Sequence, residues 1–331
     1  MSEAELDVIG IGNAIVDVLA TVDDAFLQGA DISKGTMTLI DEAAAETLYA
    51  KMPPGVEASG GSAANTIAAL SSLGAHCGFI GKVADDQLGE VFGHDIRAIG
   101  VAYSTPADRS GKPTARCLIL VTPDAQRSMC TFLGASTDLT TDDLDREAIA
   151  RAKVTYLEGY LFDPPAARKA FYEAADTAHD AGRAVALSLS DPFCVERYRK
   201  DFRHLVKEEV DVLFANEAEL CSLYEETNFD EALQKVRTFC QTAAITRSEK
   251  GSVVVSGDEV HIIDAVPPAQ LVDTTGAGDA YAAGFLYGYA RQLGLVESGR
   301  LGSLAASEVI SHMGARPSVP LDRLAKEAGL L

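Results

Sequence analysis

Asp273-Thr274-Thr275-Gly276-Ala277-Gly278-Asp279 decides how this chain is read. An apolar, turn-rich segment, Ile262 to Pro268, precedes it. It runs directly into Ala280-Tyr281-Ala282-Ala283-Gly284-Phe285-Leu286-Tyr287-Gly288-Tyr289. Tyr281, Phe285 and Tyr289 recur every four residues and make one apolar helical face. The small residues between them let that helix approach a neighbouring backbone. The helix is therefore expected to open at Gly276 to Gly278. A helix start leaves N–H groups without intrahelical partners and carries the positive end of the macrodipole. Glycines there keep side chains out of the way, which gives a cradle suited to phosphate. Asp279 stands in the first turn beside that cradle. A carboxylate so placed can take the proton from a hydroxyl that attacks the phosphate.

A lone G-x-G is weak, and a glycine turn with Asp279 complementing the helix dipole would explain it equally well. The complete string is more specific. It resembles the D-T-T-G-A-G-D signature of the ribokinase-like (PfkB) family of sugar and nucleoside kinases. That resemblance implies Asp279 as catalytic base and the amides of Gly276, Ala277 and Gly278 as anion hole. It implies a three-layer α/β ribokinase-like fold, with a parallel central sheet and a small β-sheet lid, in one kinase domain of residues 1–331.

The bulk properties agree with a small-molecule enzyme. The 331 residues, 47% hydrophobic, suffice for a large core with an appendage or for two domains. The 28 basic and 49 acidic residues give a formal net charge of −21, which argues against nucleic acid or an anionic membrane as partner. Cys77, Cys117, Cys130, Cys194, Cys221 and Cys240 lack metal or C-x-x-C spacing and read as buried cytosolic thiols. Met1 to Glu5 is acidic and has no signal-peptide character. No apolar run is long enough for a bilayer. The expected location is cytoplasmic, and the expected state is monomer or homodimer.

From the start of the chain, Leu6 to Gly12 reads as a buried strand ending in glycines. Gly10-x-Gly12 is not continued as a dinucleotide fingerprint, because Ile15 takes the third glycine position. Asn13 and Asp17 follow, where polar side chains sit at the mouth of an α/β sheet. Residues 15–40 have short β-rich stretches and look like an inserted small sheet. Ala58-Ser59-Gly60-Gly61-Ser62-Ala63-Ala64-Asn65 opens a helix, with Ser62 or a glycine as its cap. Residues 102–133 turn β-rich again, with a hairpin turn at Thr122 to Gln126 followed by Arg127. The lid is expected from 15–40 and 102–133. Beyond it, strands and helices alternate regularly to the hairpin of Ser252–Val255 and Val260–Ile263, which predicts a parallel sheet covered on both faces. A closing helix is expected over Gly302 to Ser311.

Further strings carry the resemblance. Gly60, Gly61, Ser62 and Asn65 match the family's N-terminal signature and are implied to bind the substrate's sugar hydroxyls, together with Asn13 and Asp17. Asn216-Glu217-Ala218-Glu219 matches N-x-x-E, which implies Asn216 at the ATP and Glu219 ordering Mg²⁺ through its waters. Thr246, Ser248 and Gly251 stand where the family has T-x-G-x-x-G before its nucleotide loop, Ser248 replacing a glycine. With Gly278 they form the implied ATP-binding set. A potassium-like monovalent cation near Asp273 and Thr275 is implied by resemblance alone. The Asn13-x-x-x-Asp17 spacing, Arg127-Ser128 and Ser190-Asp191-Pro192-Phe193 resemble the adenosine-kinase branch. In that branch the arginine closes onto the transferring phosphate, so Arg127 is expected to reach the site when the lid closes. The reading is an ATP-dependent nucleoside kinase acting on the 5′-hydroxyl of adenosine. A free-sugar kinase is the second reading, and a non-catalytic sensor on the same fold the third. No P-loop string is present.

Overall fold

The computed structural model describes residues 6–124 and 126–331. The acidic Met1–Glu5 segment and Ala125 of the expected hairpin turn lie outside the described residues. The first buried strand, β1 (Leu6–Ile11), leads through Gly12-Asn13-Ala14 into β2 (Ile15–Thr21), which belongs to a different sheet. Then come α1 (Asp24–Gly29), β3 (Met37–Leu39), α2 (Glu42–Lys51), β4 (Val56–Gly60), α3 (Ser62–Ser72), β5 (Cys77–Ile80) and α4 (Gln87–Ala98). The hairpin of β6 (Ala115–Val121) and β7 (Arg127–Phe132) follows.

The alternating half contains α5 (Arg146–Arg151), β8 (Ala152–Glu158), α6 (Pro165–Asp180), β9 (Ala184–Ser188), α7 (Pro192–Glu208), β10 (Val212–Asn216), α8 (Glu217–Tyr224), α9 (Phe229–Phe239) and β11 (Thr242–Thr246). The chain ends with β12 (Ser252–Ser256), β13 (Glu259–Ile263), α10 (Ala277–Ala290), α11 (Leu295–Val309) and α12 (Leu321–Glu327).

The main sheet has the order β13-β12-β11-β10-β9-β8-β1-β5, parallel from β11 to β5 and closed by the antiparallel hairpin β12–β13. Side chains alternate across it as a pleated strand requires. Val8, Tyr156 and Phe214 enter the core shared with α3, α10 and α11, whereas Ile9, Leu157 and Leu213 enter the core shared with the helices of the alternating half. This is the expected three-layer α/β arrangement. Ligands of such sheets bind at the carboxyl ends of the strands, which is where β1, β8 and β10 deliver Asn13, Glu158 and Asn216.

The second sheet has the order β3-β7-β6-β2-β4. Its composition corrects the expected boundaries in two places. Val56–Gly60, read only as the lead into a helix, is a strand paired antiparallel to β2. Among the described residues, 102–114 contribute only isolated bridges, Gly78 with Ala102 and Ala84 with Asp108. Likewise α11 starts at Leu295 rather than Gly302. Its glycines serve packing, since a Cβ at Gly302 would lie 2.7 Å from Tyr281 O.

The closeness expected of the helix after Asp279 is met. A Cβ at Gly284 in α10 would lie 2.3 Å from Leu301 O in α11. Gly284→Ala is accordingly expected to push the two helices apart and cost about 1–3 kcal/mol. Chemical denaturation should show the loss, and an unchanged midpoint would contradict this packing.

Candidate active site

The helix α10 begins as the sequence demands. Gly276 caps it in the left-handed conformation with φ +77°. A Cβ there would lie 2.7 Å from Ala315 Cα, so only glycine fits this turn. Gly278, by contrast, has open space where a Cβ would stand. The approach to the first-turn amides is therefore free of side chains.

Asp273 fastens the segment before the helix. Its Oδ1 accepts from Thr275 N at 3.1 Å and Thr275 Oγ1 at 2.7 Å. Its Oδ2 accepts from Gly314 N at 3.0 Å and pairs with Arg127 Nη1 at 2.7 Å. Four donors fill a carboxylate's acceptor sites. The monovalent cation expected at Asp273 and Thr275 thus finds no free carboxylate oxygen there. Arg127, expected to reach the site only on closure, is inside it in this conformation, its side chain 7% exposed. Its Nε and Nη2 are buried without a partner. Two such donors beside an open helix N-terminus fit a phosphate.

On the other side of the cradle stands Asp279. Its Oδ1 accepts from Ser62 Oγ at 2.6 Å, and the Asn65 side chain beside it favours the ionised carboxylate. Both come from the start of α3, which Gly61 caps with φ +101° and no side-chain bond. Burial pushes the Asp279 carboxyl up to about 7; the charges of Glu158 and Asp17 add to the rise, and the bonds from Ser62 and Asn65 oppose it. Burial likewise raises Asp17 to about 6 against the pull of Arg316 and Arg127. The pair of glycines expected to admit a ligand admits the chain itself. A Cβ at Gly60 would lie 2.3 Å from Asp17 Oδ2, and one at Gly61 2.2 Å from Asn13 O.

Asn13 lies deep in the same recess. It is 2% exposed. Its Nδ2 donates to Glu158 Oε1 at 2.6 Å, and its Oδ1 accepts from Ser136 Oγ at 2.9 Å. These bonds orient the amide in the wall of the recess and leave its second N–H and second lone pair for a ligand. Glu158, which the sequence reading passed over, is the organiser here. It also accepts Ala63 N at 2.8 Å, so one carboxylate joins the end of β1 to the start of α3. Burial raises its carboxyl too. The available signal was an acid closing a strand that is buried from Val154 onward, just before Gly159.

The remaining expected residues gather at the ends of β10 to β12. Asn216 and Glu219 form a reciprocal capping box: Asn216 Oδ1 accepts Glu219 N at 2.8 Å and Glu219 Oε2 accepts Asn216 N at 2.9 Å. Burial raises Glu219 to about 7, and the Asp191 charge contributes. Thr246 pairs in register with Asn216 and Ser252. Ser248 adopts φ +52°, in the left-handed region that favours glycine. Gly251, at φ +79°, lies against the β13 backbone: a Cβ would be 2.0 Å from Ile263 O. Arg247 is taken up by Glu217, at 2.9 Å, and by the Phe229 ring. Tyr160 feels the charges of both Asp279 and Glu219, which ties this group to the cradle.

Comparison with known proteins agrees with this geometry. Residues 36–322 match the model of the pfkB family carbohydrate kinases. The chain belongs to this family. It is therefore a phosphotransferase acting on a hydroxyl group. The crystal structure of adenosine kinase from Sinorhizobium meliloti is 52% identical, with TM-score 0.91 over 98% of this chain and 100% of that one. A probable sugar kinase from Rhizobium etli CFN 42 is 48% identical, with TM-score 0.92 over 99% and 100%. The 5-dehydro-2-deoxygluconokinase of Geobacillus kaustophilus is 28% identical over 79% of this chain and 81% of its own length. Similarity thus extends to nucleoside and sugar kinases alike. No helix among the described residues is long and apolar enough to cross a membrane.

The two cradle glycines of this pfkB kinase should separate by stability. Gly276→Ala combines a left-handed φ with a backbone clash and is expected to lower the melting temperature clearly. Gly278→Ala meets no atom and should melt like the parent. Equal melting of the two variants would contradict the cradle geometry.

Proposed function

We propose that the chain transfers the γ-phosphate of ATP to the 5′-hydroxyl of a nucleoside, adenosine by preference. The observation that carries this is Asp279: a carboxylate in the first turn of α10, held by two residues of α3 and raised to about 7 by burial. That is the range in which a carboxylate serves best as a general base near neutral pH. The acceptor hydroxyl would lie between Asp279 and the first-turn amides, with Asp17 holding a ribose hydroxyl. As the hydroxyl oxygen attacks phosphorus, Asp279 takes its proton. The Gly278 amide and the two unpartnered nitrogens of Arg127 would face the charge that develops on the phosphoryl oxygens, beside the Ala277 amide, which donates to Thr274 O at 3.3 Å.

ATP bound with Mg²⁺ supplies the transferable phosphoryl group with part of its charge neutralised. Asn216, Thr246, Ser248 and Gly251 would border the nucleotide. Glu219 would reach the metal's waters, as suits an ion that keeps most of its hydration shell. Among the described residues no group of three or more His, Cys, Asp or Glu is placed to hold a metal directly. The small sheet from β2 to β7 acts as a lid in this reading, and closure excludes the water that would otherwise hydrolyse the nucleotide.

The second reading, a free-sugar kinase, draws support from the sugar-kinase relatives. The Asn13-x-x-x-Asp17 spacing and the 52% identical neighbour favour the nucleoside. A panel of nucleosides and free sugars assayed with Mg-ATP distinguishes them. Adenosine should give the highest kcat/KM; a free sugar that exceeds it moves the assignment to the second reading.

Turnover should fall as pH drops through about 7, because only ionised Asp279 accepts a proton. Asp279→Asn should lose about a hundredfold to ten-thousandfold in kcat and with it this limb of the profile. Near-parental turnover in that variant would remove Asp279 as base. Arg127→Lys keeps a charge but not the planar fork. It should lower kcat more than it weakens nucleoside binding without ATP, as rapid-mixing and calorimetry can compare. The reverse pattern would make Arg127 a substrate-binding or structural residue.

A further inference from the structure

Arg316 belongs to none of the motifs that marked the site. It follows Gly314 and Ala315 in the loop after α11. That loop is bound on the phosphate side of the site: Gly314 N donates to Asp273 Oδ2 at 3.0 Å, and Ala315 fills the space a side chain at Gly276 would need. Ser318 N and Oγ fasten its far end to Glu308 Oε1 at 3.0 and 2.7 Å. From this support the Arg316 guanidinium reaches to the acceptor side. Its Nε donates to Asn65 Oδ1 at 3.1 Å and its Nη1 to Ser59 Oγ at 2.7 Å. Its Nη2 is buried without a partner, and its charge lies beside that of Asp17.

These contacts fix which way the Asn65 amide points. With Oδ1 accepting from a guanidinium, Nδ2 is the end of the amide left to face Asp279, whose ionised form Asn65 favours. Turned over, the amide would set its oxygen against the Asp279 carboxylate and its N–H groups against a cation. Both contacts are repulsive. We propose that Arg316 is a positioning residue for phosphoryl transfer: it locks the Asn65 amide so that its N–H faces the base, Asp279. It does this from a loop anchored at the phosphate cradle, which couples the geometry of the two reacting sides. The inference rests on Asp279 being the base.

The groups facing Asp279 come from several elements. Ser62 and Asn65 face it from α3, Asp17 from β2, Tyr156 and Glu158 from β8, and Tyr160 from the turn that follows. The carboxylates favour its protonated form, whereas Ser62 and Asn65 favour the ionised one. Loss of the Asn65 donor therefore shifts the balance towards the protonated acid. Arg316 also pulls Asp17 towards ionisation, so the acceptor's binding should weaken along with the base.

The test compares Arg316→Met, which removes donor and charge, with Arg316→Lys, which keeps one donor and the charge. Each is measured for kcat and KM against pH with the acceptor that the panel selects. In Arg316→Met the acid limb of kcat is expected to move up by about half a unit or more. The KM for the acceptor should rise severalfold, and the KM for ATP should hold. Arg316→Lys should recover part of the shift. A purely structural role would lower melting temperature and kcat at all pH values without moving the limb, and that result overturns the inference. A parental enzyme with no limb near 7 overturns the Asp279 reading, and the inference with it. A parental limb that Arg316→Met leaves in place overturns the inference alone. If Arg316→Met does not fold, Arg316→Ala, which also removes donor and charge, takes its place: a limb moved as for Met supports the inference, and an unmoved limb overturns it.

Discussion

The buried ion pair between Arg127 and Asp273 is the contact on which the site depends. Asp273 gathers donors from its own turn, from the loop after α11 and, through Arg127, from the second sheet. Three segments distant in sequence thereby meet at the N-terminus of α10. A buried pair of this kind adds little net stability, because desolvating both charges offsets their attraction. Breaking it by removing one partner commonly costs about 3–5 kcal/mol, since the other charge stays buried and unpaired. Its value here is geometric. It brings a guanidinium with two spare donors to the mouth of an anion cradle and holds the second sheet over the recess.

Opposite that cation stands a cluster of acids that resists ionisation. Asp17, Glu158 and Asp279 crowd one recess, and burial raises all three. Raised carboxyls favour the folded state at low pH and lose that contribution as pH climbs through their folded values, about 6 for Asp17 and about 7 for Asp279. The site therefore trades stability at neutral pH for a carboxylate that can exchange its proton there. The glycines at 60, 61 and 276 serve the same end. Each makes room for this chain's own groups, whereas Gly278 faces open space.

Much of this was legible in the sequence. The regular alternation from Val154 onward predicted the parallel sheet, and the string ending in Asp279 predicted the helix start within a residue. The misses have physical causes. Val56–Gly60 ends in small residues that read as a turn, and its pairing with β2 is a long-range property. The long helix α7 is interrupted at Tyr198, with φ −128° and ψ 30°, so its 17 residues are not one continuous helical run. Asn13 carries the residue type of a ligand contact, but the Glu158 carboxylate that orients it is 145 residues away in sequence. Arg316 has no local signal at all. It follows Asp279 by a whole helix pair and acts only because the loop returns to Asp273.

The central claim is that the fold keeps the Asp279 carboxyl near neutrality, beside an open helix N-terminus. Titration of the enzyme labelled with ¹³C at aspartate carboxyls measures this directly. The account predicts an aspartate resonance titrating near pH 7 that is missing from the Asp279→Asn spectrum. An Asp279 resonance that titrates in the ordinary carboxylate range, near 4, would contradict it.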